Sequence, residues 1–123
     1  MTLPSGRSLA YAQPRFDGQE ITYMGMNQTT HKWERIKTWG GKLTENLIQA
    51  IARDCLALSM TKIKREGYHI IMHVHDEVIV EVPDDDADQH LKTVEDLMGE
   101  PIEWAPGLLL TADGFTSPYY RKD

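Results

Sequence analysis

The chain has 123 residues and a formal net charge of −6, with 41% apolar and 26% charged residues. That length suits a single domain around one hydrophobic core, residues 1–123, and the composition excludes an intrinsically disordered chain. A single cysteine, Cys55, excludes a disulfide framework and a cysteine-based zinc site, and fits a reducing, cytoplasmic setting.

No apolar run approaches the roughly 20 residues of a membrane span, and residues 1–7 lack the apolar stretch of a signal peptide. Taken alone, the net charge points away from nucleic acid. It conceals a gradient, however. Residues 1–68 carry ten Lys/Arg against six Asp/Glu, and residues 69–123 carry three against thirteen. A basic part can meet phosphates, and an acidic part can hold divalent cations or simply remain solvated.

Residues 1–39 read as strands and turns. Residues 8–12 form a short strand closed by Pro14. Residues 19–24 alternate and pair with it across the turn at 15–18, 27–31 make a polar turn, and 32–39 form a further strand. Gly40 and Gly41 break the chain before a long helix over 42–66, which has no internal Gly or Pro. Gly67 occupies the position of a left-handed C-terminal cap. The β-branched run at 69–83 reads as a hairpin turning at His75-Asp76. The acidic run from Asp84 opens a shorter helix over 86–99, stopped by Gly99. Residues 108–112 read as a buried strand and the rest of 108–123 as irregular tail. The expected class is α+β: an antiparallel sheet including the hairpin, with the long helix across one face and the second helix beside it.

Two features carry chemistry. At about 100° per residue, Lys42, Glu45, Asn46, Gln49 and Arg53 project within one arc of the long helix, opposite Leu47, Ile48, Ile51, Cys55 and Leu58. A solvated surface face is the plain reading of that stripe. Amides and a guanidinium also match the acceptors that every base pair shows in the DNA minor groove, where contacts report duplex geometry rather than sequence. The second feature is the hairpin tip. Two-residue hairpin loops favour glycine, asparagine or aspartate at positive φ, yet this one has His75 and no glycine, with Asp76 and Glu77 adjacent. Two neighbouring carboxylates suit a Mg²⁺ ion, which takes one or two protein oxygens plus phosphate and water. An exposed acidic turn and a zinc cluster of His73, His75 and Asp76 are the competing readings.

Three stretches, Leu3-Pro-Ser-Gly-Arg-Ser-Leu-Ala-Tyr11, Trp39-Gly-Gly-Lys-Leu-Thr-Glu-Asn-Leu-Ile-Gln-Ala-Ile-Ala-Arg-Asp54 and His73-Val-His-Asp-Glu-Val-Ile-Val-Glu-Val-Pro83, together resemble the C-terminal palm region of family A DNA polymerases, bacteriophage type. The last resembles motif C. The resemblance implies a partial polymerase palm in which Asp76 is a catalytic and metal-binding residue for Mg²⁺, with His75 near the primer terminus and Glu77 as an outer carboxylate. It implies DNA contacts by Gln49, with Arg53, Asn46 and Lys42 as neighbours. Where the family has an asparagine one turn before this glutamine, the chain has Glu45. The implied partners are primer–template DNA, deoxynucleoside triphosphates in a complete polymerase, and a complementary polymerase chain or a second copy. The family's first palm motif, with its other metal-bridging aspartate, and its fingers helix have no counterpart here. The chain alone is therefore expected to be inactive, as an excised palm, a split subunit or a prophage remnant. The alternatives are a non-catalytic module binding duplex DNA or protein and, further off, a zinc metallohydrolase.

Overall fold

The computed structural model describes residues 1–123, which form β1 (Ala12–Phe16), β2 (Ile21–Met26), β3 (Trp33–Thr38), α1 (Gly40–Arg65), β4 (His69–Val74), β5 (Glu77–Glu81) and α2 (Ala87–Met98). The class is α+β as expected, but the strands make two antiparallel sheets, β1-β2-β3 and β4-β5, rather than one. The short loop of the β4–β5 hairpin lets those strands satisfy each other locally, so neither draws on the first sheet. Residues gather into two compact units, Met1–Ile51 and Ala52–Asp123, with the boundary inside α1.

In the first unit β2 is the central strand. It pairs with β3 without interruption from Ile21↔Thr38 to Met26↔Trp33. β1 lies later in the chain than the predicted strand at 8–12 and contains Pro14. A proline is tolerated because β1 is an edge strand, with one side free of ladder bonds. The register against β2 shifts between Ala12 and Arg15, and Gln13 takes φ 46° there. Ser8 instead bridges Thr2, in a tight turn in which the Leu3 amide donates to the Arg7 carbonyl at 2.7 Å and Gly6 takes φ 91°. That turn buries Leu3.

The β1–β2 connection is held by Asp17, whose carboxylate accepts from the amides of Glu20 (2.7 Å) and Gln19 (2.9 Å). These bonds hold the Asp17 carboxyl below its ordinary range. Their contribution is complete above the ordinary aspartate pKa and fades as pH falls through the lowered value. The polar turn between β2 and β3 is organised by Asn27, whose side-chain oxygen accepts from the Thr29 amide at 2.8 Å.

In the second unit, α1 ends as predicted. Gly67 takes φ 91° and donates to the Lys64 carbonyl at 3.0 Å, while the Tyr68 amide reaches the Ile63 carbonyl at 3.4 Å. That pair of bonds is the Schellman pattern, and it closes over Ile63, the most deeply buried side chain. Leu56 and Cys55 are also buried on this stretch of helix. Burial raises the Cys55 thiol pKa, and nearby Asp54 adds to the effect, so this cysteine is a packing residue. At the other end, Gly40 and Gly41 belong to the first turn of α1 rather than preceding it. The Leu43 amide bonds the Trp39 carbonyl at 3.0 Å, and the Thr44 hydroxyl bonds the Gly40 carbonyl at 2.9 Å.

α2 follows the predicted span. The expected strand at 108–112 does not form: the tail has no strand partner, and Leu109 is 92% exposed. The tail instead approaches α2 closely. A Cβ on Gly114 would lie 2.7 Å from Leu91 Cδ1, and one on Gly99 would lie 3.2 Å from the Leu110 carbonyl oxygen. A side chain at Gly114 would require Leu91 to shift, and one at Gly99 would require the backbone at Leu110 to give by a few tenths of an ångström.

Thr38, at the end of β3, is buried with its hydroxyl unpaired. Replacing Thr38→Val removes an unsatisfied polar atom at almost constant shape, which is expected to stabilise the protein by about 1 kcal/mol. Chemical denaturation measures it; a loss of stability would show that the hydroxyl is satisfied in solution.

Candidate nucleic-acid interface

The polar stripe forms as the helical spacing requires, and all its members lie on α1. Their partners differ from one another. Lys42 Nζ lies 3.1 Å from a Glu45 carboxylate oxygen, and Gln49 Nε2 donates to the other Glu45 oxygen at 3.3 Å. Glu45 therefore ties together the cation and the amide expected to meet DNA, one turn to either side. Asn46 does not project freely: its amide donates to the Tyr11 hydroxyl at 3.2 Å. Tyr11 in turn packs edge-on against Tyr23 at 5.0 Å. Tyr11, Tyr23, Asn46 and Gln49 line a shallow cavity of about 320 Å³ in the first unit, with no charged group in its lining. The two tyrosines were missed in the sequence; only their helical amide neighbours carried a signal.

Arg53 has another partner. Its guanidinium Nη1 lies 3.2 Å from His73 Nδ1 on β4. A guanidinium only donates, so Nδ1 accepts and the His73 proton sits on Nε2. His73 thus shares its ring with an arginine rather than with His75 and Asp76. No group of three or more His, Cys, Asp or Glu side chains converges anywhere in the chain. The His73 nitrogen that a zinc site could use is instead taken by the Arg53 guanidinium, which does not favour the zinc reading of His73, His75 and Asp76.

The hairpin tip is as the sequence predicts. His75 and Asp76 form the two-residue loop between β4 and β5, and His75 takes φ 55° without being glycine. His75 and Asp76 are exposed and Glu77 is half-buried. One exposed aspartate beside a glutamate fits a Mg²⁺ ion that keeps water and phosphate oxygens, and does not fit an all-protein cage. A bulge in β4 governs which residues share a face. Ile70 pairs with Val80 and Met72 with Ile79, leaving Ile71 as the extra residue. His69, Met72 and Val74 then lie on one face with Glu81, Ile79 and Glu77, and Ile70 and His73 on the other with Val80 and Val78. His69 accordingly approaches Glu81, at 3.8 Å, and not Arg53. His90 serves packing, with Nδ1 2.9 Å from the Tyr68 hydroxyl.

No family model matches the chain, and no solved structure matches it. Two polymerases do. The DNA polymerase of Bacillus phage SP02 is 51% identical over 127 residues, covering 98% of this chain and 19% of that enzyme. The thermostable DNA polymerase I of Thermus filiformis is 26% identical over 102 residues, covering 79% of this chain and 12% of the relative. The chain is thus related, over nearly its whole length, to a DNA polymerase. The family is that of DNA polymerase I, the family A polymerases, with the higher identity on the phage side. The chain spans about a fifth of the length of the phage relative. No helix is long and apolar enough to cross a membrane.

Two outcomes are expected from these contacts. Glu45→Gln frees Lys42 and removes a negative charge from the stripe, and should tighten duplex binding about two- to fivefold, the scale of an exposed ion pair; fluorescence anisotropy at low salt measures it, and weaker binding would give Glu45 the opposite role. His75→Gly relieves a left-handed residue at the loop and should raise stability by about 1 kcal/mol. Thermal denaturation checks that value.

Proposed function

We propose that the chain is the motif C part of a family A polymerase palm, contributing one catalytic aspartate and duplex contacts to a DNA-directed DNA polymerase. The observation that carries the reading is the tip of the β4–β5 hairpin, where a strained, non-glycine loop displays Asp76 beside Glu77. The relationship to two DNA polymerases supports it.

In this reading Asp76 holds Mg²⁺, Glu77 stands behind it, and His75 lies near the primer terminus. The ions, when bound, supply activation of the primer hydroxyl and charge neutralisation on the triphosphate. This chain's own residues position the duplex: Gln49 and Lys42 at the minor groove, once released from Glu45, with Asn46 fixed by Tyr11 as a neighbour. Arg53 contacts DNA while leaning on His73. By the family resemblance, such chemistry would call on a further carboxylate from the first palm motif beside Asp76. In this reading these 123 residues do not catalyse by themselves, and extension draws on a complementary polymerase segment that carries the first palm motif and the fingers. The cationic and amide side chains on one face of α1 favour a second reading, a non-catalytic module that binds duplex DNA.

Mixing the chain with such a complement, primer–template, deoxynucleoside triphosphates and Mg²⁺ tests the assignment. Extension is expected only in the mixture. Asp76→Ala should lower it by about a hundredfold or more, the scale of removing a transition-state charge stabiliser. Extension indifferent to Asp76→Ala would remove the catalytic role; duplex binding without extension in any mixture would leave the binding module.

A further inference from the structure

We infer that the groove between the C-terminal half of α1 and strand β4 is a binding site for the phosphate backbone of a DNA strand, with His73 as the positioning residue that presents Arg53 to it. The inference rests on the polymerase reading for the identity of the polyanion, and on the second unit alone for its geometry.

The groove has a volume of about 560 Å³, and Arg53, Ala57, Met60, Thr61 and Lys64 supply its helical wall. These positions recur at the spacing of one helix face. The opposite wall is formed by Tyr68 and by β4 from His69 to His73. Among its lining residues the fixed charges, Arg53 and Lys64, are both positive, and none is a carboxylate. Glu81, on the hairpin, lies on the opposite face from His73, where it approaches His69. Val78 and Val80, which share the face of His73, carry no charge. In a chain of net charge −6, a groove with cations and no acids is not the average surface.

Spacing and chemistry both suit a nucleic-acid strand. Arg53 and Lys64 are eleven residues apart on one helix, or about 16 Å along its axis. One strand of a B-form duplex places a phosphate about every 3.4 Å along that axis, so the two cations bracket about five phosphates. The lining between the two cations includes the apolar side chains of Ala57 and Met60. The His73 bond occupies one of the five guanidinium N–H groups of Arg53 and fixes its plane. The remaining donors stay available for a phosphate.

The β4 bulge makes the arrangement possible. With strict alternation from His69, His73 would share its face with His69 and Glu81. The extra residue Ile71 moves it to the face of Ile70 instead. The zinc-like spacing of His73 and His75 in the sequence thus has a different use: His73 is an acceptor for an arginine.

Fluorescence anisotropy of the full chain against a labelled single-stranded oligonucleotide and a labelled duplex, each across a salt series, tests the site. Lys64→Gln and Arg53→Gln should each reduce the slope of log affinity against log salt by about 0.7 to 0.9 units, one phosphate contact apiece. His73→Leu should weaken binding about fivefold, the scale of one hydrogen bond, and add nothing to Arg53→Gln when the two are combined. His73→Asn, which keeps an acceptor, should recover part of the loss. A salt slope unchanged by Lys64→Gln, or His73→Leu and Arg53→Gln adding independently, would overturn the inference, as would absence of binding at low salt. None of these results alters the dependence of primer extension on Asp76, so the groove can fail while the polymerase assignment stands, and the reverse.

Discussion

The second unit depends on how α1 stops. The left-handed Gly67 and the paired bonds from Gly67 and Tyr68 to the Lys64 and Ile63 carbonyls end the helix within one turn. β4 begins two residues later, at His69. An L-residue at φ 91° is strained, so the abrupt exit is a property of glycine at that position. A frayed or extended helix would consume the first residues of β4. The pairing of His69 with Glu81, the bulge at Ile71, and the His75-Asp76 loop all follow from where that strand starts. The chemistry proposed for Asp76 and the groove proposed for Arg53 and Lys64 both rest on that one stop.

Charge is arranged with the same economy. The stripe on α1 is not a uniformly basic surface: Glu45 holds Lys42 and Gln49, and Tyr11 holds Asn46. These are exposed or half-exposed contacts, each of small energy, so a phosphate or a base edge can displace them. Their effect is to keep long side chains ordered on one helix face in the absence of DNA. Arg53 is ordered by a different partner, an imidazole on β4, whose neutral nitrogen orients the guanidinium without cancelling its charge. The Glu45 link offsets part of the Lys42 charge, whereas the His73 link preserves the full cation of Arg53.

Much of this was legible in the sequence because it is local. Helical spacing placed Lys42, Glu45, Asn46, Gln49 and Arg53 on one face. Gly67 marked the cap, and the polar His75-Asp76 break in the β-branched run marked the hairpin loop. The contact between Glu45 and Gln49 is also local, an i,i+4 pair. What stayed hidden is tertiary or irregular. The extra residue at Ile71 has no sequence mark, and it reverses which histidine faces Arg53. β1 is displaced past Pro14 because an edge strand tolerates proline. The strand expected at 108–112 has apolar residues but no partner, so its backbone lies against α2 through Gly99 and Gly114. His73, His75 and Asp76 suggested a metal cluster by spacing alone, and the Arg53 partner of His73 is a tertiary contact that spacing does not show.

The central claim is that this chain meets a primer–template duplex through the α1 stripe and the β4–β5 hairpin. Amide and side-chain chemical shifts, recorded on the labelled protein during titration with a primer–template duplex in Mg²⁺, test it most directly. The account predicts perturbations at Lys42, Gln49 and Arg53 on α1 and at His73, His75 and Asp76 on the hairpin, with α2 and β1 unaffected. Perturbations confined to α2, to β1 or to the tail, with the stripe and the hairpin tip unmoved at saturation, would contradict it.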